Sequence, residues 1–154
     1  MPALEVVQQK QGSPSLSAAG ETRMTPRETA LAFADAINGH AVERLLSLMT
    51  PGHRLVDSLG NVVQGRASLA GGWKQYFTMV PDYRLEITQV LDGPPVMLLG
   101  SAGGTFARDG IQKPANRWST PVAIRVEVQG ELVQEWRIYA DNEPIRALMR
   151  TPAG

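Results

Sequence analysis

The chain has 154 residues, about one domain's worth, and its 15 basic and 15 acidic residues cancel to a formal net charge of zero. That balance leaves no basic footprint for nucleic acid or an anionic membrane. The absence of cysteine removes disulfides, thiolate zinc and thiol nucleophiles, and two histidines are too few for a multi-histidine metal site. No cofactor is expected. Charged residues reach only 19%, below the usual ~25%. The 15 glycines and 11 prolines exceed average use, so a mixed fold with many turns is expected. No apolar run approaches the ~18 residues of a membrane span. The opening Met1 to Lys10 has neither a basic n-region nor an apolar h-region, so a cytoplasmic protein is expected.

Residues 1 to 24 read as a polar N-terminal arm with little regular structure, in which Leu4, Val6 and Val7 could meet a partner subunit. The domain proper is expected over 25–150, with a short tail at 151–154. Thr25-Pro26-Arg27-Glu28 carries a capping box with proline at the first helical position. Ala30, Phe33, Ala34 and Ile37 then recur at helical spacing until Asn38-Gly39. A second short helix turns Val42, Leu45, Leu46, Leu48 and Met49 inward, and Thr50-Pro51-Gly52 ends it. His53 to Asp57 reads as a strand, Leu59-Gly60-Asn61 as a turn, and Val62-Val63 as a strand pairing back. A third helix spans about Ala67 to Met79, carrying Leu69, Trp73, Tyr76 and Phe77.

The period then changes. Tyr83 to Leu91 alternates, Gly93-Pro94-Pro95 is a turn, and Val96 to Phe106 is a strand with Gly100, Ala102 and Gly104 on one face. Arg108 to Arg117 is expected as a long loop of net positive charge, a solvated rim or a recruiter of anions. Trp118 to Val128 and Leu132 to Tyr139 form a hairpin about Gln129-Gly130, and Pro144 to Met149 adds a helical turn. Helices followed by a run of strands predict an α+β fold, a curved antiparallel sheet wrapped around three N-terminal helices.

Residues Ala30 to Gly39, Leu45 to Met49, Leu55-Val56-Asp57, Gly65-Arg66 and Gly130 to Tyr139 resemble the nuclear-transport-factor-2-like superfamily. Within it the chain looks most like the SnoaL-like and ketosteroid-isomerase-like branch. The resemblance covers 25 to about 143. It implies a cone-shaped sheet around helices, a pocket for ketones, polyketides, epoxides or steroid-like molecules, and a homodimer through the outer sheet face. Superfolds host unrelated activities, so the site has to be argued from its residues.

Asp57 occupies the general-base position of that resemblance, where a buried carboxylate with a raised pKa would take a carbon-bound proton. The competing reading is an aspartate capping the Ser58-Leu59-Gly60 turn. The isomerase pattern also needs two oxyanion donors, and their positions hold Phe33 and Ile124, which cannot donate. One such donor is worth about 3–4 kcal/mol in the transition state, so steroid isomerisation by that route is disfavoured. The epoxide-hydrolase pattern ends in Trp-Arg-Asp where this chain has Trp136-Arg137-Ile138, and no charge lies among Gly100 to Thr105. Trp73, Tyr76, Trp118, Trp136 and Ile138 complete the expected pocket wall, with core packing the favoured reading for Trp73 and Tyr76. His53 lies about 13 Å along the strand from Asp57, too far for a dyad, and reads as solvated or at an edge. Tyr139 and Asp141 fall on the outer face or strand end. Two functions stay open: a pocket protein for a small apolar molecule, with Asp57 moving a proton beside a carbonyl, or a non-catalytic ligand-binding or interaction module.

Overall fold

The computed structural model describes residues 23–151, so the expected arm lies outside the described residues except for Arg23 and Met24. Helix α1 (Pro26–Asn38) starts as its sequence dictates. Thr25 Oγ1 accepts the Glu28 amide at 3.1 Å, and the Glu28 carboxylate accepts the Thr25 amide at 2.8 Å. These bonds satisfy two of the free donors that every helix start presents. Its buried face is Thr29, Ala30, Phe33, Ala34, Ala36 and Ile37. The chain reverses at His40, with φ of 51°, rather than at Gly39, which keeps a right-handed φ of −83°. A non-glycine residue holds this conformation because its imidazole bonds the Tyr83 carbonyl at 3.1 Å and stacks on Phe77 at 4.1 Å.

Helix α2 (Val42–Ser47) ends sooner than its apolar spacing suggests. Met49 belongs to strand β1 (Met49–Val56), which therefore runs through Pro51-Gly52. Strand β2 (Val62–Gln64) pairs with it, and α3 (Arg66–Met79) follows. The remaining elements are β3 (Arg84–Leu91), β4 (Val96–Arg108), β5 (Ile111–Gln129), β6 (Leu132–Ala140) and α4 (Glu143–Arg150). The six strands form one sheet in the order β2-β1-β6-β5-β4-β3.

Two expectations are corrected here. The sheet is mixed, because β1 runs parallel to β6 while its other pairs are antiparallel. The crossover from β1 to β6 spans residues 57–131, about half of the chain, so no hairpin constrains their relative direction. Residues 108–117 are not a loop. Asp109 and Gly110, with φ of 53° and 77°, close a tight hairpin, and pairing continues through Arg108↔Ile111 and Ala107↔Gln112. Two positive-φ residues match the twist of flanking strands, and Asp-Gly is a preferred pair for that turn. The flanking positions 111–115 are all exposed, so they show no apolar alternation.

Irregularities in register interrupt the β1/β6, β3/β4, β4/β5 and β5/β6 ladders. Such bulges bend strands and help the sheet curve about α1 and α3. The Asn38 side chain ties the edge strand to α1, bonding both the amide (2.7 Å) and the carbonyl (2.9 Å) of Leu85. Gly104 lets β4 pass beneath the turn after α3, since a Cβ there would lie 2.5 Å from Val80 Cγ1. The main core joins α1 and α2 to the sheet through Phe33, Ile37, Leu45, Met49, Leu98, Ile124 and Trp136. A smaller cluster of Val80, Trp118 and Ile145 lies beneath α4.

Candidate ligand cavity

Helix α3 has no side-chain N-cap, so packing rather than capping holds it. Leu69, Trp73 and Phe77 recur every four residues and are buried, while Tyr76 flanks that stripe. Between this helix and the sheet lies a cavity of about 230 Å³. Its apolar wall comes from Leu55 on β1, Trp73 on α3, Ala102 on β4, Val122 on β5 and Ile138 on β6. Asp57, Gly72, Tyr76, Tyr83 and Asn142 complete the lining. Ligand pockets usually enclose ~300–1,000 Å³, so this space suits a compact molecule.

Trp73, Tyr76, Ile138 and Asp57 thus meet at one cavity, but four other expected wall residues do not line it. Phe33 is fully buried against Trp136 and His53, with ring centroids 4.6 and 5.5 Å away. Ile124 and Trp136 are each 1% exposed and belong to the same packed core. Trp118 lies under α4 with Val80 and Ile145. Phe33, Ile124 and Trp136 are in close-packed core, where no room is left for a ligand, and Trp118 borders a separate hollow with Asp82, Arg84 and Arg117.

The Asp57 carboxylate does not match the expectation of a raised pKa. Partial burial pushes it up, but the Asn61 amide, the Asn61 side chain, the Leu59 amide and the Arg146 charge together hold it below its ordinary value. The backbone amides of Leu59 and Asn61 each reach Oδ1 at 2.9 Å, and Asn61 Nδ2 reaches Oδ2 at 3.1 Å. Hydrogen bonds to the ionised form favour that form. Asp57 therefore caps its turn and also presents the only carboxylate among the cavity's lining residues.

The phenols behave differently. Burial raises the pKa of Tyr76 well above the ordinary phenol value; burial and the neighbouring Tyr76 do the same for Tyr83. Both stay neutral hydroxyls at physiological pH. Their rings meet edge to face, 4.9 Å apart at 84°. The indole Nε1 of Trp73 is enclosed without a hydrogen-bond partner among the described residues.

Tyr83, Leu55, Val122, Ala102, Gly72 and Asn142 were not anticipated as wall residues. Alternation along β4 puts Ala102 on one face with Gly100 and Gly104, and Leu55 sits two residues before Asp57. Nothing local marks Asn142, which reaches the cavity because α4 folds back. Thr120 Oγ1 holds the Asp141 carbonyl at 2.9 Å, Asn142 Nδ2 reaches Ser58 Oγ at 3.3 Å, and Arg108 bonds the Leu148 carbonyl.

His53 is fully buried, not solvated. Its Nδ1 lies 2.7 Å from the Val133 carbonyl. A carbonyl only accepts, so Nδ1 carries the proton and Nε2 is bare, without a partner among the described residues. Burial is the main cause that lowers its pKa. On the sheet's other face, Glu135 is 3% exposed and is held by Arg54 (2.7 Å), Arg137 (3.1 Å) and Arg125 (3.2 Å). Tyr139, expected on the outer face, is half exposed. No group of three or more metal-binding side chains occurs among the described residues, and no described helix is long and apolar enough to cross a membrane.

Comparison with known proteins agrees with this architecture. A SnoaL-like polyketide cyclase candidate from Jannaschia sp. CCS1 superposes with a TM-score of 0.70 at 18% identity, over 88% of this chain and 99% of its own. A hypothetical protein of ketosteroid-isomerase-like fold from Catenulispora acidiphila, solved with trimethylamine, gives 0.69 at 22% identity over 83% and 96%. An uncharacterised cystatin-fold protein from Novosphingobium aromaticivorans gives 0.66 at 24% identity over 75% and 97%. These likenesses establish the fold. No curated protein matches the chain. The sequence pattern of the SnoaL-like domain matches residues 30–136, most of the chain, and the protein belongs to that family.

Proposed function

We propose that the protein binds a compact, largely apolar molecule in the cavity between α3 and the sheet. The observation that carries this reading is the lining itself. Apolar walls from four strands and α3 surround two neutral phenols and a single carboxylate, the pattern of a small-molecule site with few polar anchors. The volume favours a small ketone, lactone, epoxide or single aromatic ring over a steroid-sized ligand.

A second reading is proton transfer beside a carbonyl, with Asp57 as the base. Its position in the lining favours this reading, because a carboxylate beside a bound ketone can accept a carbon-bound proton. Its lowered pKa makes it a weaker base than an isomerase needs. Binding is therefore the primary assignment and catalysis the secondary one. A homodimer through the outer sheet face, where Tyr139 and the Glu135 ion cluster lie, is part of the same proposal.

Thermal shift against small ketones, lactones, epoxides and aromatic polyketides tests the assignment. A ligand at 100 times its Kd adds roughly 2.7 kcal/mol of stability. Gly72→Leu is the control, since a Cβ at Gly72 meets nothing within 4 Å and a larger side chain can grow into the cavity. Shifts in the wild type that vanish in Gly72→Leu support the cavity as the site. Equal shifts in both proteins, or none with any compound, overturn it. Asp57→Asn separates the two readings, because binding survives that change and proton transfer does not.

A further inference from the structure

Resting on the binding assignment above, we infer that the cavity selects a methylated ammonium cation, a tertiary or quaternary amine whose charge is balanced by Asp57 and whose methyl groups pack on Trp73, Tyr76 and Tyr83. These four side chains line one space of about 230 Å³ and come from three parts of the chain. Asp57 follows the last residue of β1, Trp73 and Tyr76 lie one turn apart on α3, and Tyr83 precedes β3. Tyr83 reaches the α3 rings because Val80-Pro81-Asp82 turns the chain, the Tyr83 amide bonding the Val80 carbonyl at 3.0 Å. The ring planes of Tyr76 and Tyr83 stand at 84° with centroids 4.9 Å apart, so they meet as two walls of a corner and not as a flat stack.

Charge gives the sign of the ligand. No lysine, arginine or histidine lines the cavity, so Asp57 is its only charged side chain. Three N–H donors from Leu59 and Asn61 keep that carboxylate ionised. The Arg146 charge also favours the ionised form, but Arg146 lies outside the lining and pairs with Glu143 at 3.6 Å. A fixed negative charge beside apolar walls repels an anion and draws a cation, more strongly where water is excluded.

Hydrogen-bond capacity decides which cation. Asp57 Oδ1 already accepts two backbone amides and Oδ2 the Asn61 side chain, so the carboxylate has little capacity left. A primary ammonium brings three N–H donors and would leave some unpaired against Leu55, Ala102, Val122 and Ile138. A methylated ammonium presents a carbon skin to those walls and asks for one hydrogen bond or none. Aromatic faces attract such a cation within about 6 Å of the ring centre. Burial keeps both phenols neutral, so their rings act without a competing charge.

The experiment compares phenyltrimethylammonium, whose charge is permanent, with tert-butylbenzene, which has the same shape and no charge, and with benzylammonium as the primary cation. Dissociation constants and the N-methyl proton shift are measured for the wild type, Asp57→Asn and Gly72→Leu. Phenyltrimethylammonium binds the wild type about ten- to thirtyfold more tightly than tert-butylbenzene, the range of a desolvated cation on aromatic faces, and more tightly than benzylammonium. Its N-methyl signal moves upfield, as protons over ring faces do. Asp57→Asn lowers its affinity about tenfold, while tert-butylbenzene binds wild type and Asp57→Asn equally and so reports that the cavity is retained. Gly72→Leu abolishes both. Equal or weaker binding of phenyltrimethylammonium than of either other probe overturns the inference and leaves the binding assignment intact. So does a full cation preference in Asp57→Asn, or cation binding that survives Gly72→Leu. Failure of all three probes to bind the wild type overturns inference and assignment together.

Discussion

The two ends of the sheet's inner face are built from similar residue types and finish in opposite states. Toward α1, Phe33, Trp136 and His53 stack at 4.6–5.5 Å, and Leu98, Ile124 and Val126 close around them at 1% exposure or less. Toward α3, Trp73, Tyr76 and Tyr83 are equally aromatic but leave about 230 Å³ unfilled. The difference lies in what faces the rings. Large β-branched and leucine side chains fill the α1 end, whereas at the α3 end Leu55, Val122 and Ile138 are joined by the small Ala102, and Gly72 on α3 itself carries no side chain. Small residues beside large ones leave space where the backbone does not collapse onto it; Asn38 fastens α1 to β3, and Ile145 of α4 packs on Val80 and Trp118. Packing one end tightly provides the rigidity that lets the other stay open.

That contrast is broken most severely at its filled end. Trp136→Ala empties the tightest part of the core and costs about 3–5 kcal/mol, read as a drop in the urea midpoint. Trp73→Ala costs less, because its ring already borders open space. Equal losses would show that the two ends are packed alike.

His53 gives the next effect, through pH. Its folded pKa is lowered by burial, so the folded protein keeps it neutral while the unfolded chain takes up a proton near pH 6.5. The stability it contributes is full above pH 6.5 and is lost as the pH falls from there toward the folded value. Urea midpoints measured from pH 7.5 to 5 should decline in the wild type and stay flatter in His53→Gln. A flat wild-type profile would remove His53 from the buried, neutral state.

A smaller gain is expected at the hollow end. Gly72→Ala adds a methyl in open space within a helix and should stabilise the protein by about 1 kcal/mol. Gly104→Ala, with its Cβ 2.5 Å from Val80 Cγ1, should instead destabilise it.

The least effect near neutral pH comes from Asp57→Asn, which keeps the turn's acceptor oxygen. The Asp57 pKa is lowered on folding, so its ionised form adds stability above the unfolded value near 3.8 and loses it as pH falls through the folded one. Wild type and variant should therefore converge in stability in strong acid.

Much of the fold was legible because its signals are local. The Thr25–Glu28 box, the apolar period of α1 and the Gln129-Gly130 hairpin each lie within a few residues and act through backbone geometry. Residues 108–117 were illegible because their strands project beyond the core, so no apolar face marks them. His53 was misjudged because its burial depends on pairing with Val133, 80 residues away. Asp57 was ambiguous for a different reason. One short motif serves a turn cap and a catalytic carboxylate alike, and only the Asn61 and Leu59 bonds with their effect on its charge separate the two.

The sequence by itself determined the order of elements and the inward faces of α1, α3 and the long strands. Those follow from residue type and period, which need no partner. Tertiary structure decided the parallel pairing of β1 with β6, the closure of α4 over Tyr76 and Tyr83, and which aromatic rings border a cavity. Each depends on how far apart the packed backbones are held, a quantity set by side-chain volumes summed across distant segments and therefore absent from any one of them.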